Sequence, residues 1–163
     1  MAVAVVTGVY ALMVVPRPAP IEQSAAPYTP EIQSELPVLE QVAVTINDTV
    51  YIVEVAEKSA DRKRGLSGRK DLGGVDGLLF IFPATGEHGI WMKEMHFSID
   101  VIWLDEQGRV INVTEELTPE SFPKIFYPEA PARYAIETNP GFAAGAGMTP
   151  GTQVELPSAY RLE

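Results

Sequence analysis

The sequence feature that most constrains the fold is a series of short apolar runs, rich in β-branched residues, that begins near Gln41. Turn-forming residues separate these runs, and this pattern is typical of strands rather than of helices. The first two runs, residues 42–46 and 50–55, are joined by turn residues at 47–49, which predicts a β-hairpin. The 14 prolines and 13 glycines of the chain indicate many further turns.

Further strands are predicted at residues 78–82, 90–93, 99–104, 109–114, 132–138 and 153–156. A short helix is predicted from Ser59, as its cap, to Arg64, with Gly65 ending it. A one-turn helix is predicted with Asn139 as its cap and Pro140 at its first position. About eight short strands with one or two brief helices predict an all-β domain, either a sandwich or a small barrel.

The N-terminal segment is apolar. Residues 2–15 carry no charged side chain and are rich in Val and Ala. This run is shorter than the roughly 20 apolar residues that span a bilayer, and it fits a signal-peptide-like or anchor segment. No Lys or Arg precedes it, however, and the alternative is a buried first strand of the domain.

A proline-rich segment follows. Residues 16–40 hold six prolines and four glutamates and show no apolar periodicity, which predicts an extended linker. We therefore expect a signal-like or anchor segment at residues 1–15, a linker at 16–40 and a single β-rich domain at 41–163. This layout predicts a protein outside the cytoplasm that is periplasmic, secreted or membrane-anchored by its N-terminus.

Composition excludes several kinds of site. The chain contains no cysteine, which excludes disulfides, thiolate nucleophiles and cysteine-based zinc sites. The formal net charge is −10, and an acidic surface repels the phosphates of nucleic acids. No glycine-rich phosphate loop or nucleophile elbow is recognisable. We predict no cofactor, no metal and no nucleic-acid partner.

Several short sequence motifs, in the order in which they occur, resemble those of a known family. They include Arg64-Gly65-Leu66, Asp76-Gly77-Leu78-Leu79-Phe80, Trp91-Met92-Lys93, Ala132-Arg133-Tyr134 and Gly147-Met148-Thr149-Pro150-Gly151. Together they resemble the domain of unknown function 192 family, from about Val42 to Leu156. The resemblance implies a β-sandwich of jelly-roll type, often behind a signal peptide or anchor in prokaryotes, with no assigned activity. The family usually continues its Trp-Met-Lys phrase with Asn-Thr, whereas this chain has Glu94 and Met95 there, so a site at that turn would be altered.

Asp100 is the most informative single residue, because it interrupts the otherwise apolar run 99–104. A carboxylate in such a strand needs a cation or several hydrogen-bond donors. The candidate cations and hydrogen-bond donors for this carboxylate are Arg64, Lys93, Ser98 and Arg133. Two interpretations stay open: a buried structural pair, or an acid/base or ligand-binding carboxylate beside a lysine.

Trp91 and Lys93 are predicted to lie on one face of a strand. They could line a pocket for an anionic or carbohydrate-like ligand, or the Trp could cover the edge of the core while the Lys stem lies along it. Arg133 and Glu137 share a strand face about 13 Å apart along the backbone, too far for direct pairing. Arg133 is therefore a candidate anion ligand, and its alternative role is to clamp the loop at residues 122–131.

Two further groups of polar residues are not predicted to form a binding site. The basic residues Lys58, Arg62, Lys63, Arg64, Arg69 and Lys70 are interleaved with acidic ones, which favours a solvated helix face over an anion-binding patch. His88, His96 and Asp100 suggest a metal triad only superficially, because their spacing matches no ligand motif.

The preferred functional hypothesis is a non-catalytic accessory domain of the cell envelope. It would bind a small anionic or carbohydrate-like ligand, or a protein partner, on a concave face lined by Trp91, Lys93 and Arg133. It would act as a monomer that meets the membrane only through residues 2–15. The first alternative is a small acid/base or hydrolytic enzyme that uses Asp100 and Lys93, and the second is a purely structural module.

Overall fold

The computed structural model describes residues 38–161, which form nine strands and two short α-helices. The strands are β1 (Gln41–Ile46), β2 (Thr49–Ala56), β3 (Gly77–Gly86), β4 (Ile90–Trp91), β5 (Ile99–Leu104), β6 (Val110–Leu117), β7 (Ile125–Phe126), β8 (Ala132–Thr138) and β9 (Val154–Glu155). The helices are α1 (Ser59–Arg64) and α2 (Phe142–Gly145), and single 3₁₀ turns occur at Pro119–Ser121 and Ser158–Tyr160. The prediction of a mainly β domain is confirmed.

Seven strands form one curled sheet in the order β6-β5-β8-β3-β2-β1-β9, and β4 pairs with β7 in a separate small sheet. Pairing in the large sheet is antiparallel except between β2 and β3. Strand β9 pairs with β1, and Gln153 just before it bridges Arg109 just before β6. Backbone hydrogen bonds therefore tie the two edges of the sheet together.

The sheet carries apolar side chains on both faces, because residues along a strand alternate in direction. All seven strands contribute to one buried cluster, which on β3 includes Leu79 and Ile81. A second buried cluster includes Leu78, Phe80 and Phe82 of the same strand. The second cluster is covered by irregular segments and by the small β4–β7 sheet, which contributes Ile90 to it and packs Phe126 against it, and we call it the loop-covered cluster. The candidate site lies on this side.

Three local predictions were wrong in detail. Lys58, not Ser59, is the N-cap of α1, and it makes no side-chain capping bond. Helix α2 follows Gly141, which adopts a left-handed conformation as its N-cap, so it starts later than Asn139 and Pro140 suggested. Strand β4 ends at Trp91, and Lys93 lies in a turn.

The predicted signal-like segment and all but the last three residues of the predicted linker lie outside the described residues. Between residues 38 and 161, no helix has the length and apolar character needed to cross a membrane.

Candidate functional site

A pocket of about 470 Å³ opens beside α1 on the loop-covered side of the sheet. Helix α1, the residues that follow it, strand β3 and the start of β4 supply its walls. Arg64 and Trp91, two of the residues singled out in the sequence, line this pocket, whereas Lys93, Asp100 and Arg133 do not. The structure therefore brings together only two of the five predicted site residues.

One wall of the pocket is apolar and aromatic. It is formed by Leu66, Phe80, Phe82, Pro83, Ile90, Trp91 and Met95. The side chain of His88 stacks on Phe82, with ring centroids 3.9 Å apart. Trp91 is 45% exposed, so part of its indole ring is free to contact a ligand. Such a surface suits a flat or apolar molecular body.

A second part of the wall is basic, because Arg62, Lys63 and Arg64 of helix α1 line it. Arg62 donates hydrogen bonds to the carbonyl oxygens of Glu57 and Ile81, so it is used in holding the helix against the sheet. Lys63 and Arg64 are exposed, and neither forms an ion pair within residues 38–161. Two cationic groups are thus left available at the pocket.

Glu137 lies in the pocket lining although it is only 4% exposed. Its Oε2 atom is buried and has no hydrogen-bond partner in the described part of the chain. Burial raises the pKa of this carboxyl to about 8, and the positive charge of Arg69 opposes the increase. Glu137 is therefore mostly protonated at neutral pH.

The sheet register explains the surroundings of Glu137. Glu54 of β2, Leu78 of β3 and Glu137 of β8 are paired in one row, so their side chains share a face. Arg69 lies with its Nη1 atom 2.6 Å from Oε2 of Glu54. Because Arg69 forms its ion pair with Glu54, it offsets only part of the desolvation cost of Glu137.

Gly65 is part of the pocket lining and packs closely against Phe80 and Glu137. Its φ of +54° is one that L side chains rarely adopt, which accounts for glycine at the end of α1. A Cβ atom here would lie 3.2 Å from Cζ of Phe80 and 3.6 Å from Oε2 of Glu137. Any side chain at this position would therefore crowd Phe80 and the Glu137 carboxyl.

Asp100 is fully buried, and none of the four partners considered for it from the sequence is hydrogen-bonded to its carboxylate. Its Oδ1 accepts the backbone N–H of Glu116 at 2.9 Å, and its Oδ2 accepts that of Gly141 at 2.8 Å. The β5–β6 register shifts between Ile99 and Val101, so that two residues of β6 lie opposite Asp100. Backbone amides from this bulge and from the start of α2 take the place of Arg64, Lys93, Ser98 and Arg133.

Lys93 and Arg133 have different neighbours and do not form a common site. Lys93 lies with its Nζ 5.9 Å from the centroid of the Trp91 ring and 3.8 Å from a carboxyl oxygen of Glu94, so its predicted closeness to Trp91 is correct. The Arg133 guanidinium lies 5.8 Å from the Tyr134 ring, and its Nε and Nη1 atoms are buried without hydrogen-bond partners. An anion-binding role for Arg133 stays a prediction.

Metal ligation has no geometric support within residues 38–161, where no three His, Asp or Glu side chains are grouped to hold an ion. His88 Nε2 contacts the carbonyl oxygen of Ala84 at 2.7 Å.

Sequence reasoning missed Glu137 as a site residue and considered it only as a possible partner of Arg133. The signal that could have found it is similar to the one used for Asp100, a carboxylate that directly follows the apolar residues Ala135 and Ile136 in a predicted strand.

A family model and a curated relative both match this chain. The family model for domain of unknown function 192, described as an uncharacterized ACR, matches residues 42–156. A UPF0127 protein of Pyrococcus horikoshii is 39% identical over 90 residues, which cover 52% of this chain and 70% of that protein. None of these descriptions assigns a catalytic activity.

Two crystal structures share the fold. A Novosphingobium aromaticivorans protein of unknown function is 27% identical, with a TM-score of 0.66, and covers 82% of this chain and 94% of that one. A Sinorhizobium meliloti protein described as a "putative transcription regulator" is 26% identical, with a TM-score of 0.64, and covers 72% and 93%. Since the family model matches well over half of the sequence, the chain belongs to the domain of unknown function 192 family.

Proposed function

We propose that this domain is a non-catalytic binding module that holds a small molecule in the pocket between α1 and β3. One observation carries the proposal: a pocket of about 470 Å³ has aromatic and basic walls and contains a buried carboxyl oxygen without a partner. Its volume lies within the range of small-molecule sites, which combine apolar walls with a few polar groups. A buried polar atom left unpaired costs stability, and a ligand that pairs with it recovers that cost.

The enzyme alternative has weaker support. Its two named residues share no cavity, because Asp100 is fully buried and is hydrogen-bonded to backbone amides while Lys93 lies at the surface. An acid and a base that act on one substrate must both reach it. A purely structural role would leave the pocket and its unpaired carboxyl without a purpose.

We further propose that the domain acts outside the cytoplasm, in the cell envelope, as the apolar run 2–15 and the proline-rich linker favour. The transcription-regulator description belongs to the Sinorhizobium protein. A regulator of transcription would bind nucleic acid, but a formal net charge of −10 disfavours nucleic acid as a partner of this chain. We therefore propose that the partner is a small molecule.

Tryptophan fluorescence tests the proposal, because the two tryptophans occupy different environments. Trp91 lines the pocket at 45% exposure, whereas Trp103 is fully buried. The full chain is titrated with phenylacetate, phenethylamine and glucose, and a saturable change in emission is expected for at least one of them. The change should vanish in Trp91→Phe, which leaves Trp103 as the only reporter.

A Lys124→Met variant serves as the control, since Lys124 is exposed and lies outside the pocket lining. Its titration should match that of the wild type. If none of the three probes changes the emission, or if the change persists in Trp91→Phe, the pocket is not a binding site for such molecules and the proposal fails.

A further inference from the structure

We propose that the pocket takes a small organic carboxylate with an apolar or aromatic body, and that Glu137 in its protonated form donates a hydrogen bond to that carboxylate. This inference rests on the binding function proposed above and adds the chemical class of the ligand. Under this inference, ligand binding depends on the proton of the Glu137 carboxyl.

The charges around the pocket favour an anion. Among the described residues, its lining contains three cationic side chains of α1, none of them in an ion pair, against the single carboxyl of Glu137. This excess is local, because the chain as a whole has a formal charge of −10. A cationic ligand would be repelled by Lys63 and Arg64, whereas a carboxylate would be attracted by both.

The apolar wall defines the rest of the ligand. Phe80, Phe82 and Trp91 present aromatic surface, and Met95 adds a flexible thioether that can adjust to a flat ring. A bare inorganic anion would leave this surface unused. An aryl or short acyl group joined to a carboxylate would contact both walls at once.

Glu137 is placed to be the hydrogen-bond donor. Its Oε2 is buried and has no hydrogen-bond partner in the described part of the chain, Glu137 belongs to the pocket lining, and the neighbouring Gly65 adds no side chain beside that oxygen. A protonated carboxylic acid can donate to a carboxylate oxygen, whereas an ionised one would repel it. The raised pKa of about 8 keeps the donor form dominant at neutral pH.

The charged groups that face Glu137 come from several elements. Arg69 approaches from the segment after α1, and Glu54 on β2 forms an ion pair with it. Arg62, Lys63 and Arg64 of α1 and His88 before β4 line the same pocket. The paired residues on β3 and β5, Leu78 and Val101, are uncharged. Glu137 is thus the one acidic group in the pocket lining.

The pH dependence follows from the protonation state. Below a pH of about 8 the free protein already holds the proton, so carboxylate affinity should be nearly constant down to the pKa of the ligand itself. Above that pH, ligand binding requires proton uptake, and affinity should fall by up to about tenfold for each pH unit.

The experiment compares phenylacetate with phenylacetamide and phenethylamine, titrated into the full chain between about pH 6 and pH 10 and followed by Trp91 emission. These probes share one aromatic body and differ in the polar group. Phenylacetate should bind most tightly at neutral pH and weaken by about tenfold or more by pH 9.5. Glu137→Gln, whose amide still donates, should bind phenylacetate with little pH dependence in this range.

A pair of basic-residue variants tests the electrostatic part. Arg64→Ala, in the pocket lining, should weaken phenylacetate binding several-fold, whereas Lys58→Ala, at the N-cap of the same helix but outside the lining, should not. Equal effects of the two variants would contradict a specific basic wall.

The outcomes separate the two proposals. Preferential binding of phenethylamine or phenylacetamide, or phenylacetate affinity that does not fall above about pH 8, overturns the inference while the binding function stands. If no probe binds in any variant, the inference fails, and the binding function fails with it when glucose also leaves the emission unchanged.

Discussion

Two buried carboxyl groups lie on neighbouring strands, and their surroundings differ. Asp100 on β5 pairs with Thr138 on β8, and the next pair along the same two strands is Val101 with Glu137. Their side chains therefore point to opposite faces of the sheet. Asp100 has each oxygen hydrogen-bonded to a backbone N–H, whereas Glu137 has an oxygen with no partner.

The difference shows that burial does not by itself identify a functional acid. On the Asp100 side, a bulge in β6 and the start of α2 bring two amides to the carboxyl, and its hydrogen bonds stabilise the fold. On the Glu137 side, the acid is buried beside Gly65 and belongs to the lining of the pocket, and no backbone amide of the described residues reaches its Oε2. Hydrogen-bond satisfaction together with access to a cavity separates the structural group from the functional candidate.

The largest expected effect is on the pH dependence of stability at Glu137. Because its pKa in the folded protein is about 8 rather than 4.5, the folded state holds the proton more tightly than the unfolded state. Wild-type stability should therefore fall as pH rises from 4.5 to 8, by about 1.4 kcal/mol per unit from this group. Glu137→Gln should remove that slope, as measured by urea unfolding across this range.

Glu155→Gln is the matched control, because Glu155 is an exposed glutamate on β9. Its stability difference from the wild type should not vary with pH in the same way. If the difference between wild type and Glu137→Gln is constant across the range, the carboxyl does not carry a raised pKa.

The second effect concerns Asp100. Asp100→Asn supplies one acceptor oxygen where two are needed and turns an amide NH₂ toward a backbone donor. The free energy of unfolding should fall by about 3 kcal/mol, the scale for disrupting a buried polar network. Asp71→Asn, at an exposed carboxyl that accepts one amide from Gly73, should cost much less. Similar losses in both variants would contradict a structural role that depends on burial.

The smallest effect is expected at Lys93. Its contacts are an ion pair to Glu94 and the nearby ring of Trp91, all at the surface. Lys93→Met should change the free energy of unfolding by less than about 0.5 kcal/mol in urea titrations. A loss well above 1 kcal/mol would mean that the lysine supports the fold and would weaken the contrast between surface and buried charges.

The sequence was sufficient to predict the β-rich fold and the strand that contains Asp100. Runs of β-branched residues, and runs in which apolar and polar residues alternate, predict strands. The first hairpin and the buried run 99–104 were therefore predicted correctly. The partners of Asp100 could not be predicted, because the donors are backbone amides 16 and 41 residues away. Their positions depend on a bulge and on the conformation of Gly141, and neither is visible in side-chain chemistry.

The site was predicted only in part, because it depends on how α1 lies against the sheet. Arg64 and Trp91 were both identified, but nothing in the sequence indicates that they share a pocket. Glu137 enters the pocket because β8 pairs with β3, and it keeps an unpaired oxygen because Arg69 pairs with Glu54. Strand order and ion-pair choice are tertiary properties, and local patterns do not determine them.

The most direct test of this account is a pH titration of the Glu137 side-chain carboxyl by ¹³C NMR in the full chain, with Glu137→Gln used to assign the signal. The account predicts a single titration with a midpoint near 8, which would place a protonated acid in the pocket at neutral pH. A midpoint near the ordinary value of 4.5 would contradict it, because Glu137 would then be an ionised carboxylate unable to donate a hydrogen bond to an anionic ligand.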